Sequence, residues 1–284
     1  MKFRPVALIV LLLLSATGCG PTLAAFIAEA DALCKRGEAA ITSLAAPDSV
    51  AKVKEFGEKL AAETKKLVNQ LAALKPPRGD DAAKTKAFVD DLRAAGNASE
   101  ELGKAAGKED FPGTEKAVAD TDKAFKKADD SARTAGFKVC GKAGAAAAAS
   151  VAAPTPGLLK NAYIAKADAL CGTANNEQNA IPQPESLEEY ANFIDKILVI
   201  TDKLTTDLKA IAPPAADKAA IDEWLAANDA LRAVVVDLQA AARAGDEDRF
   251  LEVLDRFTAM SNDALLKGDR IGFRDCGSAG ANAQ

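Results

Sequence analysis

Apolar residues recur at steps of three and four along most of this chain, the spacing of helices with one buried face. Phe26, Ile27, Ala30, Leu33, Cys34, Ile41 and Leu44 make the first face. Thr22 is placed to cap its start, and Pro47 stops it. A second helix begins after Ser49 and carries Val50, Val53, Phe56, Leu60, Leu67, Leu71 and Leu74 up to Pro76-Pro77. A third runs from about Asp80 past Leu102, with Phe88, Val89 and Leu92 inward. A fourth follows Phe111-Pro112-Gly113, with Val118, Phe125, Ala128 and Ala132 inward, and Gly136 ends it in a left-handed cap. No alternating run suggests a strand.

The pattern then repeats. Phe26 to Cys34, FIAEADALC, returns as Tyr163 to Cys171, YIAKADALC, and Gly136 to Gly141, GFKVCG, returns as Gly272 to Gly277, GFRDCG. Between these bookends Ser186 matches Ser49, Pro213-Pro214 matches Pro76-Pro77, and Leu187, Tyr190, Phe193, Ile197, Leu204, Leu208 and Ile211 continue the second seam. Ser186 with Glu189 reads as a capping box. The third and fourth helices of the second copy carry Ile221, Trp224, Leu225, Leu231, Val235 and Leu238, then Phe250, Val253, Leu254, Phe257, Met260, Ala264 and Leu265. The chain is therefore a tandem duplication, and four amphipathic helices with short connections imply an antiparallel bundle in each copy. The fourth helix of the first copy is poorer in large apolar groups. Each such group contributes about 1.5 to 3 kcal/mol when buried, so the first copy is expected to be the less stable.

The first eighteen residues fall outside this pattern. Lys2 and Arg4 precede an apolar run from Val6 to Leu14, too short to span a bilayer, and then small residues lead to Cys19. Residues 1–18 are expected to be an export signal. Ala16-Thr17-Gly18-Cys19 resembles the lipobox of bacterial lipoproteins, which implies a diacylglyceryl group on Cys19 and an anchor on the outer face of the cell membrane. The tether that follows is only Gly20-Pro21-Thr22, which would hold the first copy near the bilayer.

Cysteine arithmetic agrees with that reading. There are five cysteines, and setting Cys19 aside leaves two per copy. In an oxidising compartment Cys34 pairs with Cys140 and Cys171 with Cys276. Each link closes a loop of about 100 residues, a contribution of about 4 to 5 kcal/mol on the chain-entropy account. Charge separates the copies. Leu23 to Gly141 holds 20 basic and 20 acidic residues, and Leu158 to Gly277 holds 13 and 21. No basic patch forms that could follow phosphates, so nucleic acid is not an expected partner. An anionic bilayer would repel the acidic second copy.

Chemistry is harder to find. The chain has no histidine, CxxC pair, phosphate-binding glycine loop or serine-nucleophile motif, so no metal or cofactor is expected. Asp31 and Asp168 recur three residues before the first cysteine of each copy, and read as carboxylates bonded to backbone or a basic side chain at a bundle end. Asn175-Asn176-Glu177-Gln178 reads as a solvated face. Asp120-Thr121-Asp122 and Asp246-Glu247-Asp248 lack the glycine and distal glutamate of a calcium loop. Trp224 and Tyr190 could line a space between helices.

The paired ADALC and GFxxCG signatures, with the double proline between second and third helices, resemble uncharacterised exported helical proteins and lipoproteins of high-GC Gram-positive bacteria. The expected organisation is all-α: a signal over 1–18, a bundle over 19–141, an Ala/Gly/Pro linker over 142–156, a bundle over 157–277 and a disordered tail over 278–284. The leading functional expectation is a non-catalytic, lipid-anchored envelope protein that meets a protein partner. A carrier of a small apolar or amphipathic ligand is the alternative, and a carboxylate-dependent enzyme a third.

Overall fold

A computed structural model describes residues 21–281. The export signal and Cys19 lie outside the described residues, as does the chain end from 282.

Among the described residues the chain is all helix, with no strand. Helices α1 (Leu23–Thr42), α2 (Val50–Ala72), α3 (Asp80–Gly107) and α4 (Phe111–Ala135) follow the first copy of the pattern. Helices α6 (Thr155–Asn179), α7 (Leu187–Lys209), α8 (Lys218–Ala244) and α9 (Glu247–Ile271) follow the second. Local chemistry sets the ends. The Thr22, Ser49 and Ser186 hydroxyls accept from the amides of Ala25, Lys52 and Glu189, and Asp110 and Asp246 do the same for Gly113 and Arg249. Gly136 and Gly272 close α4 and α9 at φ 89° and 107°, a region open to glycine. The capping box at Ser186 is displaced by one residue, since Glu189 accepts from the amide of Glu185.

Two expectations need correction. The stretch 142–156 is not an extended linker: Lys142–Ala152 forms helix α5, packed on α4 and α1, with Ala147, Ala148 and Val151 buried. Alanine has the highest helix propensity, and a helix nearly free of charge can be buried on several sides. Gly144 lets it approach closely, because a Cβ there would lie 2.2 Å from the Phe125 ring. The second copy begins within α6, whose first residue is Thr155. Ser278–Ala281 of the expected disordered tail form a short helix, α10, against α9 and α6.

Packing differs between the copies. The first has one continuous core from Phe26 to Val151. Its α2 and α3 meet at glycines: a Cβ on Gly57 would lie 2.7 Å from the amide nitrogen of Gly103, and one on Gly96 would lie 3.2 Å from Thr64 Cγ2. In the second copy the core is divided. One cluster, around Tyr163, Trp224, Ile271 and Phe273, lies at the disulfide end; the other joins Ile194, Val234, Leu238, Phe250 and Val253. Phe193, Ile197, Leu204, Phe257 and Met260 are only half-buried. The packing therefore points away from the expectation that the first copy is the less stable. Large apolar residues stabilise only in proportion to the surface they bury, and those of the second copy are incompletely covered.

Candidate functional site

The bookend motifs explain each other. After Gly136 the chain turns back along α1, and the amide of Phe137 bonds the carbonyl of Ala132. The Phe137 ring packs 4.9 Å from Phe88 and 6.2 Å from Phe26. The next three amides then donate to Asp31: Lys138 to Oδ2 at 3.1 Å, Val139 and Cys140 to Oδ1 at 3.1 and 3.2 Å. Cys140 reaches Cys34, one turn beyond Asp31, with the sulfurs 2.02 Å apart. The second copy repeats this. The amides of Arg274, Asp275 and Cys276 donate to Asp168 at 3.0 to 3.1 Å, Phe273 packs 4.7 Å from Trp224, and the sulfurs of Cys171 and Cys276 are 2.00 Å apart. The recurring carboxylates thus anchor a turn.

Beside each cysteine pair lies a hollow, and the two hollows are built from equivalent positions. The equivalence follows from the Cys34/Cys171 and Ser49/Ser186 pairs on the first two helices, and from Phe88/Trp224, Asp110/Asp246 and Gly136/Gly272 on the next two. All but Gly144 of the residues around the first hollow have their counterparts around the second. The first encloses about 20 Å³ and the second about 270 Å³. The smaller space admits about one water.

Four substitutions between the copies account for the difference. Phe125, 1 % exposed at the centre of the first core, corresponds to Ser261. Leu92 corresponds to Asn228, Ile41 to Gln178, and Val139 to Asp275. At the same time the glycines that let α2 and α3 close are gone, since Gly57, Gly96 and Gly103 correspond to Ile194, Arg232 and Gln239. Helices α7 and α8 are instead tied at their surface by ion pairs. Arg232 holds Asp202 through two bonds, Nη2 to Oδ2 at 2.7 Å, and keeps that carboxyl below its usual range. Arg243 reaches Asp195 at 2.8 Å, and Lys209 reaches Asp229 at 2.8 Å. Such exposed pairs contribute up to about 1 kcal/mol each and hold separation without filling it.

The result is a cleft walled by all four helices α6 to α9 and the turn at 275–277. Ile197, Leu204, Leu208, Trp224, Leu231, Val235, Phe257 and Leu265 supply its apolar surface. A larger trough of about 370 Å³ runs between α2 and α3, but only those two helices form it, and charged Glu58, Lys65, Arg93 and Glu100 line it.

Of the residues singled out by sequence, Trp224 is at the cleft and Tyr190 is not: it packs 5.2 Å from Phe250 in the distal cluster. The stretch read as a solvated face splits, with Asn175 and Gln178 in the cleft wall and Asn176 and Glu177 exposed. Asp120 and Asp122 sit on the surface of α4 paired with Lys116 and Lys126, and Asp246 caps α9. No group of metal-ligating side chains forms among the described residues. The small hollow has two carboxylates, Glu38 and Asp129; burial pushes Asp129 up to about 6, and its Oδ1 is buried without a hydrogen-bond partner. That space is too small for a substrate.

What the fold and site define is an all-helical protein with one filled and one open copy of the same interior. No family model matches the chain, and no curated protein or solved structure is significantly similar to it.

Proposed function

We propose that this is a lipid-anchored, non-catalytic binding protein of the cell envelope, carrying a small apolar or amphipathic molecule in its second copy. In this reading residues 1–18 direct export, Cys19 receives a diacylglyceryl group, and two tandem antiparallel four-helix repeats stand on the outer face of the membrane. The filled first repeat is a rigid support, and disulfides staple both. The observation that carries the proposal is the contrast of about 20 and 270 Å³ at equivalent positions, where large apolar side chains give way to Ser261 and Asn228. Interhelical space of this kind is where bundles hold ligands, and about 300 Å³ is the lower end of the range for small-molecule sites. The signal-like first residues and the lipobox resemblance support the location.

Native mass spectrometry of the protein extracted from its own envelope tests this, set against the denatured, non-reduced mass. Excess native mass that disappears on denaturation is expected, and gives the cargo by weight. A native mass equal to one acylated, doubly cross-linked chain would remove the carrier reading. It would leave a surface-presenting role, for which exposed Val199, Leu251 and Leu266, all in the second copy, are the observation in favour.

A further inference from the structure

The polar groups of the cleft have a one-sided character. The single lining cation, Arg232, is committed to Asp202 by two bonds. Two of the three lining amides have also spent donors on the protein: Asn228 Nδ2 donates to the Trp224 carbonyl at 2.9 Å, and Asn175 Nδ2 to the Asp275 carbonyl at 3.0 Å. Thr201 donates to the Ile197 carbonyl at 2.7 Å. What these groups have left is acceptor capacity, the side-chain carbonyls of the two asparagines and the Thr201 oxygen.

Charge points the same way. The two carboxylates around the filled hollow, Glu38 and Asp129, become Asn175 and Leu265, while Asp275 stands exposed at the rim. The second copy carries 13 basic against 21 acidic residues. An anionic head group would meet spent donors, an exposed carboxylate and a negative field. A hydroxyl would meet acceptors.

We infer that the cleft selects an uncharged amphiphile that donates a hydrogen bond, an alcohol-type head on a compact apolar body, and excludes carboxylates and phosphates. The inference rests on the carrier reading and deepens it. A cavity of about 150 Å³ holds benzene, so about 270 Å³ accommodates about ten non-hydrogen atoms, either a whole small ligand or the leading part of a longer one.

Trp224 is the only tryptophan and forms part of the wall, so its emission reports occupancy. The test uses the full chain carrying Cys19→Ser, which avoids detergent, titrated with butylcyclohexanol, butylcyclohexane and butylcyclohexanecarboxylate. Saturable binding of the alcohol is expected, about tenfold tighter than either of the other two, the effect of one hydrogen bond gained or one charge left unpaired. Asn228→Leu, which restores the residue of the filled copy, should erase the preference for alcohol over hydrocarbon. Ser261→Phe should abolish binding of all three. Circular dichroism and the non-reduced mass verify folding of each variant, and the probe ranking on the unsubstituted cleft decides the matter independently. Carboxylate binding as tight as alcohol, or hydrocarbon as tight as alcohol, overturns the inference and leaves the cleft a binding site. Failure of all three probes to move the Trp224 emission overturns both.

Discussion

Replacing Asp168 by alanine removes the acceptor for three consecutive amides and leaves both sulfurs of the adjacent bond in place. The amide of Cys276 is buried, so water cannot take over its bond, and an orphaned buried donor costs about 1 to 3 kcal/mol. The amides of Arg274 and Asp275 are partly accessible and recover water, at about 0.5 to 1.5 kcal/mol each. The turn at 273–276 should therefore loosen by about 2 to 5 kcal/mol. Local opening of that turn exposes the sulfurs, so the assay is reduction by dithiothreitol, with alkylation and mass spectrometry distinguishing the two bonds. At about 3 kcal/mol the Cys171–Cys276 bond should be reduced about a hundredfold faster, with Cys34–Cys140 unchanged. Asp31→Ala should produce a smaller effect confined to the other bond, because Lys138, which donates to it, is exposed. Asp168→Asn should fall between, since one oxygen can still accept from Asp275 and Cys276. Equal acceleration of both bonds, or none of either, would refute the assignment of Asp168 as anchor of its own turn.

Phe125→Ser should open the filled copy to resemble the other and lower its stability by about 3 to 5 kcal/mol in urea unfolding, the range for removing a buried aromatic ring; a loss under 1 kcal/mol would mean that Phe125 does not hold that space closed. Asp129 is raised from 3.8 to about 6 by burial, so the folded form binds the extra proton. Its contribution to stability is present below about pH 4 and is lost as the pH rises through about 6; Asp129→Asn should flatten that slope in urea titrations and raise the midpoint at neutral pH. An unchanged slope would show that the carboxylate is solvated. In hydrogen exchange, amides around Ile197 to Leu204 on α7 should exchange faster than their counterparts around Leu60 to Leu67 on α2, because the former border the cleft and the latter a continuous core. Equal protection would contradict the divided core.

Much of the helical layout could be read from local chemistry. Caps at Thr22, Ser49 and Ser186 and left-handed glycines at 136 and 272 act over a few residues, and the apolar seams between them set which faces turn inward. What needed long-range geometry was less accessible. A backbone role for Asp31 and Asp168 was legible, but the amides they hold lie over 100 residues away along the chain. Composition misled at α5, where alanine, glycine and proline suggested a loose connector; alanine's small volume and helix propensity instead let it join a core. It misled again over stability, because the count of large apolar groups in α9 ignores how well they are covered. The cleft itself was present as a difference between copies, Phe125 against Ser261 and Leu92 against Asn228. It was hidden because the interval between copies shortens by one residue between the double prolines and the Phe88/Trp224 pair.

Phe111 opens α4 of the first copy, yet it is 1 % exposed inside the core cluster of the second, 6.3 Å from the Tyr163 ring. Lys166 with Glu109, at 2.7 Å, and the amide of Ala215 with Glu115, at 2.9 Å, reinforce that junction. A chain whose halves share a buried aromatic cannot lose one half at no expense to the other. The melting of the two copies is thereby linked, and cutting between them would strip Tyr163 and Leu159 of their cover. The copy that tolerates an opening in its middle can do so because its closed neighbour shares in its cohesion, so that a protein built by duplication behaves on heating as one cooperative unit.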